Sequence, residues 1–372
     1  MNKDRLAARV ISGWADNPRK DPFLIGYFPG EGIGSEIIPP ATELLCAVCE
    51  KFGRRIALRA GGLIGKPALE TTGHSLTEEA IDFCEQIFSD GGTILCGPGG
   101  SRFVYELRAH FDLYCKLTPL LPCPPLRDAG CLKPQHVADL DILAVRENTG
   151  GLYFGKSDTN RDKDGNMTVS HRFSYSAAQV RRILACAFAA ASERRGKVCV
   201  TTKPGGIPAI SALWQEHAQA LSAETGVELT VLEIDNAVYQ LIANPRTFDV
   251  IVSPNMFGDV LADAGAMLLG SRGMSYSGNF GANGKAVYQT AHGAAHDLAG
   301  TDRANPLGQI LSVAMMLRES LDLPEASDLL CRAVESVLER GFRTADIASP
   351  ACTVIGTKEM SRLVLETVQA EG

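Results

Sequence analysis

The sequence predicts an α/β protein, a central sheet flanked by helices. Two observations carry this reading. Short apolar runs of strand length alternate along the chain with longer helical stretches. Hydrophobic residues make up 45% and charged residues 21% of the 372, with no low-complexity tract and no internal repeat, as a folded globular chain requires. That length favours two domains over one.

In chain order, the first strand falls at residues 23–28, followed by a helix at 39–52. A helix around residues 77–88 leads into a strand at 93–96. Further strands fall at 142–145, 197–201, 229–233 and 250–253, with helices at 177–194, 208–223 and 258–269. Residues 155–175 break the rhythm: they are polar, contain the turn Asp162-Lys163-Asp164-Gly165 and carry strand-like residues 167–169. They predict an arm or hairpin, which either meets another subunit or is a plain surface excursion.

Bulk properties exclude several classes of function. A net charge of -7 gives no overall attraction to nucleic acid or to an anionic membrane, so a small anionic substrate would need a local basic cluster. No apolar run approaches the roughly 20 residues that cross a bilayer. Residues 1–22 mix Lys3, Arg5 and Arg9 with Asp4, Asp16 and Asp21, which reads as neither a signal nor a transit peptide. Several of the eleven cysteines, Cys186 and Cys199 among them, sit in apolar runs and read as reduced core residues of a cytoplasmic protein. Cys46 and Cys49 form a CxxC without a second pair or a nearby histidine, which reads as helix packing rather than a zinc site.

The candidate chemistry begins at Asp259 and Asp263, whose four-residue spacing on a helix sets both carboxylates on one face. Apolar neighbours Val260, Leu261, Ala264 and Met267 predict a largely buried helix, where an acidic pair calls for compensation that Mg²⁺ or Mn²⁺ would supply. A solvated acidic face is the other reading of that spacing. Asp235 closes an apolar strand and either completes such a site or caps the helix after it. Arg108, Arg146 and Lys203 each stand near a strand or loop end, where arginines clamp carboxylates, or else make surface ion pairs. Tyr153 follows Gly150 and Gly151 and is a candidate proton donor, while Lys203 precedes the turn Pro204-Gly205-Gly206. The segment Gly30-Glu31-Gly32-Ile33-Gly34 lacks the spacing of the dinucleotide fingerprint, and residues 61–66 are not a P-loop.

Taken in order, these segments resemble the isocitrate/isopropylmalate dehydrogenase family of β-decarboxylating dehydrogenases, over residues 26–357. Gly30 to Gly34 is similar to the family's opening loop, and Leu107-Arg108 to its first substrate arginine. Residues 146–153, Arg-Glu-Asn-Thr-Gly-Gly-Leu-Tyr, resemble its arginine-to-tyrosine segment, and residues 255–263 its aspartate motif. The resemblance implies two α/β domains sharing a central mixed sheet: a discontinuous cofactor domain of residues 1–113 and 271–372, and a smaller domain of residues 114–270 that carries the dimer interface and a protruding clasp arm at about 150–176. It implies NAD and Mg²⁺ or Mn²⁺ as cofactors and a small 2-hydroxy acid as substrate.

By the same resemblance, Arg108 and Arg146 would hold malate carboxylates, Asp235, Asp259 and Asp263 the metal, and Tyr153 with Lys203 would form the acid–base pair. Lys203 and Asp235 would enter from the partner subunit of a homodimer. The cofactor loop would comprise His292, Gly293, Ala294 and Asp297 with Asn305 and Asp346 beyond it, and an acidic residue at Asp297 accompanies NAD rather than NADP.

Two departures bear on the substrate. The family's second arginine, ten residues after the first, is replaced by Thr118, leaving Lys116 or Arg102 to restore the charge. Residues 97–106 are shortened, and Val104 and Tyr105, with Ser101 or Arg102 nearby, would face the C3 substituent in a mixture matching neither an isopropyl nor an isocitrate pocket. Isocitrate and isopropylmalate lead the expected substrates. Tartrate or D-malate, homoisocitrate, or a 3-substituted malate of specialised metabolism are the alternatives, and a noncatalytic regulatory subunit and a metal-free dinucleotide-binding protein are the other classes.

Overall fold

The computed structural model describes residues 5–14 and 21–371. The leader reading of residues 1–22 therefore falls in part outside the described residues. No helix among them is long and apolar enough to cross a membrane.

Twelve strands matter for the site: β1 Phe23–Phe28, β2 Ile56–Ala60, β3 Thr93–Cys96, β4 Cys115–Leu120, β5 Ile142–Glu147, β6 Lys156–Arg161, β7 Met167–Arg172, β8 Lys197–Thr202, β9 Glu228–Glu233, β10 Val250–Ser253, β11 Tyr276–Phe280 and β12 Ala286–Thr290. Ten of them form one mixed sheet in the order β2-β1-β3-β12-β11-β4-β5-β10-β8-β9. The run β5, β10, β8, β9 is parallel, so the chain leaves all four strands at one edge of the sheet. β4 meets β5 antiparallel with Lys116 opposite Arg146, and β11 is antiparallel to both of its neighbours.

The fully buried apolar strands β3 and β10 explain why their limits are read directly from the sequence: such runs belong to sheets covered on both faces. The first long helix differs from expectation. It spans Gly34–Lys51 and so starts before Pro39 and Pro40, which lie inside it. Its start is set by the glycine loop: Gly32 has φ +58, and a Cβ there would run into the Ala294 carbonyl. The Ile37 amide still donates to the Ile33 carbonyl at 3.1 Å, and Thr42 Oγ1 donates to the Pro39 carbonyl at 2.8 Å.

The helix Asn255–Gly265 is also less buried than its sequence implies. Leu261 and Ala262 are buried, but Val260 and Met267 are exposed. The reason is placement: the helix lies over only one face of the sheet at β5, where a Cβ on Gly258 would come within 2.9 Å of the Arg146 stem. Both strands of the hairpin β6–β7 are exposed along their whole length, so the segment does stand out as an arm. Its turn is closed by Asp162, whose carboxylate accepts from the Asp164 and Asn166 amides at 2.9 and 2.8 Å.

The short helix Leu6–Val10 is tied to the end of helix Leu307–Glu319, where buried Glu319 accepts from the Ala7 amide at 2.7 Å. Burial raises the Glu319 carboxyl above its ordinary value, against the lowering effect of the amides. A raised folded value favours the folded state while the group is protonated, and that contribution is lost as pH rises through the folded value. The melting temperature of the wild type relative to Glu319→Gln is therefore expected to fall as pH is raised from about 4 toward neutrality. Calorimetry across that range checks it, and a wild-type advantage that grew with pH would contradict the account.

Candidate active site

Arg146, the penultimate residue of β5, is almost wholly buried. Its Nε and Nη2 donate to Asn255 Oδ1 at 3.0 and 2.8 Å, and Nη1 pairs with Asp259. Asn255 is in turn fixed by its Nδ2, which donates to the Gly150 carbonyl at 2.9 Å, and by its backbone N–H, which donates to the Tyr175 hydroxyl oxygen at 2.9 Å. One residue, at the strand-to-helix junction after Pro254, thus locks the arginine, the glycine turn and the helix together.

Tyr153 sits in the short 3₁₀ turn Leu152–Phe154 and donates its hydroxyl to Asp259 Oδ2 at 2.8 Å. The turn before it is held by buried Glu147, which accepts from the Thr149 and Gly150 amides at 2.9 Å each. Burial pushes the Tyr153 phenol well up, and the neighbouring Asp259 charge and hydrogen bond add to it, so the phenol stays protonated. For Asp259, burial acts upward but Arg146 and the phenol outweigh it, and the carboxyl lies below its ordinary value.

Arg108, on helix Phe103–His110, and Lys116, on β4, are 5% and 4% exposed. Neither forms a side-chain hydrogen bond or an ion pair among the described residues, and Arg108 Nε is left without a partner. Burial, reinforced by Arg146, lowers Arg108 to about 9. Burial, reinforced by Arg108 and Arg146, takes Lys116 well below its usual value, with Asp259 and Asp263 opposing. An uncompensated buried cation costs several kcal/mol in order of magnitude, so Arg108 and Lys116 lack a counter-charge of their own. Thr118 is buried on the same strand face as Lys116. Arg102 is at the rim, with Nη2 3.4 Å from the Tyr153 carbonyl and its guanidinium over Tyr105 at 5.7 Å. The Tyr105 ring meets Tyr153 edge-on at 5.1 Å, while Val104 packs against the apolar core that contains Phe28, Phe103 and Leu107.

Other expected residues lie elsewhere. Asp263 follows Asp259 by one turn and pairs with Arg272 at 3.0 Å. Lys203, just after β8, pairs instead with Glu233 and Asp235 at 2.6 and 2.8 Å on the protein surface. The hydrogen bonds to Asp235 and then Glu233 raise the Lys203 ammonium, and the bond to Lys203 lowers Asp235. Asp235 is the second residue of helix Ile234–Ala243, not its cap. A single chain brings no three acidic or metal-ligating side chains together among the described residues, so Asp235 does not join Asp259 and Asp263 within it.

The glycine loop, residues 97–102 and the 291–300 loop adjoin. The Ile33 amide donates to the Ala294 carbonyl at 2.9 Å, buried Glu31 accepts from the Gly100 amide, and Glu36 accepts from the Gly300 amide at 2.5 Å. His292 Nδ1 lies 2.9 Å from the Gly293 carbonyl oxygen, while its Nε2 is buried without a partner. Gly293 and Asp297 are exposed, and Asp297 makes no side-chain hydrogen bond among the described residues. Asn305 and Asp346 contact each other at 3.1 Å, and Asp346 also accepts from Ser271 and Thr344. Asn255 and Glu147, which hold Arg146 and the glycine turn in place, are not singled out by the sequence. For Asn255 the usable signal is its position directly after the Ser253-Pro254 strand end.

A family model described as isocitrate/isopropylmalate dehydrogenase matches residues 24–364. A 3-isopropylmalate dehydrogenase of Gloeobacter violaceus is 40% identical over 92% of this chain and 97% of its own length. One of Carboxydothermus hydrogenoformans is 40% identical over 94% and 96%. Among solved structures, an isocitrate dehydrogenase from Methylococcus capsulatus superposes with a TM-score of 0.82 at 28% identity, covering 93% of this chain and 99% of that one.

Proposed function

The chain belongs to the isocitrate/isopropylmalate dehydrogenase family, and from that premise we propose that it catalyses the NAD-dependent oxidative decarboxylation of a 3-substituted malate to a 2-oxo acid and carbon dioxide. The observation that carries this reading is the buried group Arg108, Lys116 and Arg146, set beside the Tyr153 phenol and, among the described residues, opposed at hydrogen-bond distance by the single carboxylate of Asp259. A dicarboxylate would supply the missing negative charge and lie against a proton donor. The names of the relatives favour an isopropyl-like substituent, and Tyr105 with Arg102 at the rim gives this pocket a more aromatic and polar lining than such a group requires.

The donor chemistry fits Mg²⁺ or Mn²⁺, since Asp259 and Asp263 offer hard carboxylate oxygens one helical turn apart. Asp235 of a second copy would complete the set, and the cation would polarise the substrate hydroxyl and stabilise the negative charge that develops as carbon dioxide leaves. Lys203 of the same second copy would accept the C2 hydroxyl proton, and Tyr153 would return a proton to C3. Exposed Asp297 would hydrogen-bond ribose hydroxyls and repel a 2′-phosphate, which selects NAD over NADP. His292, Gly293 and Ala294 would line the nicotinamide side, with Asn305 and Asp346 toward the adenosine.

A homodimer with shared sites follows from the same reading. The exposed arm carries Met167 and Val169, and Tyr239, Val260 and Met267 add further exposed apolar surface. The strand order supports the division into domains: β2, β1, β3, β12 and β11 fall in residues 1–113 and 271–372, and β4, β5, β10, β8 and β9 in residues 114–270. The purified chain supplied with NAD, Mn²⁺ and a panel of 3-substituted malates is expected to form NADH with at least one of them. Tight binding with no NADH from any member would instead identify a noncatalytic regulatory relative.

A further inference from the structure

We propose that Lys116 is a specificity-determining ligand of the substrate's second carboxylate, the charge that makes this pocket select dicarboxylic over monocarboxylic 2-hydroxy acids. The inference rests on the reading above that the pocket binds a malate.

Lys116 is held in the middle of the sheet, on β4, with β5 on one side and β11 on the other, opposite Arg146 and Asn279 respectively. Its side chain projects from the face that helix Asn255–Gly265 covers, since Arg146 on that face packs against Gly258 of the helix and Leu120, four residues along the same strand, against Gly265. The side chain therefore lies between sheet and helix, almost wholly buried. It comes within electrostatic reach of Arg108, Arg146, Asp259 and Asp263 and bonds to none of them. Asp259 is already occupied by Arg146 and Tyr153, and Asp263 by Arg272.

Three cations thus converge where one carboxylate is bound to only one of them. One ligand carboxylate would satisfy Arg108 or Arg146 and leave Lys116 without a partner, whereas two would satisfy the cluster. A lysine that merely filled space would not need to be charged, and an apolar side chain of similar length would fill it with no desolvation penalty. Thr118, the next residue on that face and roughly 7 Å along the strand, offers a hydroxyl and no charge, so the second carboxylate falls to Lys116.

The test uses the full chain as purified, with Lys116→Met and with the double variant Lys116→Met/Thr118→Arg, which moves the cation one position along the same face. Without substrate, Lys116→Met is expected to melt higher than the wild type, because an unpaired buried charge is gone. Its KM for the best malate of the panel should rise about thirty- to a hundredfold, with kcat changed far less and with a smaller preference for that malate over lactate. The double variant should recover part of the lost affinity. Unchanged KM and unchanged preference in Lys116→Met would overturn the proposal, as would a double variant that folds and binds no better than the single one. If the wild type oxidises no malate, calorimetric titration with 3-isopropylmalate separates the two readings: binding lost in Lys116→Met upholds the ligand role while the oxidative function fails, and equal binding by both chains overturns the ligand role.

Discussion

Asp259→Asn is expected to reduce kcat/KM by about a thousandfold or more, a loss typical of removing a group that stabilises charge in the transition state. Three roles meet on this carboxylate. It is the ion-pair partner of nearly buried Arg146, it accepts the Tyr153 hydroxyl at 2.8 Å, and by the proposed function it would be one of two oxygen donors on its helix. Asparagine keeps the shape and one acceptor oxygen but removes the charge, so the fold should survive while Arg146 loses its counter-ion. The variant should also bind Mn²⁺ far more weakly, which electron paramagnetic resonance of free Mn²⁺ reads independently of turnover. Asp263→Asn, whose carboxylate is half exposed and already paired with Arg272, should weaken Mn²⁺ binding without disturbing Tyr153. Wild-type rates in Asp259→Asn would remove this carboxylate from the chemistry and sink the assignment.

The fold is legible in the sequence where a strand is a short, purely apolar run between turn residues. β1, β3 and β10 are short apolar runs whose ends coincide with turn residues, and their limits follow from composition alone. β4 and β11 are not marked in that way. β4 contains Lys116 and Pro119, and β11 contains Gly278 and Asn279, all poor strand formers. They are strands because the fold supplies what the residues lack. Asn279 Nδ2 donates to the Val287 carbonyl at 3.1 Å, and Asn148 Nδ2 donates to Asn279 Oδ1 at 3.0 Å, contacts spanning up to 131 positions.

The same division holds at the site. The spacing of Asp259 and Asp263 is local and therefore readable, whereas the identity of their counter-ions is not. Arg146 and Arg272 are brought to them by the sheet and by the following loop, at separations no periodic pattern encodes. Lys116 illustrates the limit most sharply. In the sequence it shares with Arg102 the place of a candidate replacement for the missing arginine; its burial without a bonding partner is what separates the two, since Arg102 is exposed and lies beside Glu106.

Mixing two inactive variants is expected to restore activity. Tyr153→Phe and Lys203→Met should each be nearly inactive alone, because each lacks one end of the proton path. Within one chain these two groups serve different surroundings: Tyr153 is hydrogen-bonded to Asp259, while Lys203 is on the surface with Glu233 and Asp235. β8, which leads to Lys203, is two strands from β5, which leads to Tyr153, and β9, which leads to Asp235, is three, offsets of roughly 10 and 14 Å across a sheet. A lysine cannot serve a pocket at that distance while paired on its own surface, but a second copy can present it. In a two-fold dimer each site would then take Tyr153 from one chain and Lys203 from the other. A heterodimer of the two variants would hold one site with both substitutions and one with neither. Random re-association makes about half of all dimers mixed, so about a quarter of the sites, and of the wild-type rate, should return. Separately tagged chains, co-expressed and then isolated as mixed dimers, should reach about half. Mixed dimers as inactive as their parents would mean that each chain builds its site alone, and Lys203 would lose its place in the reaction.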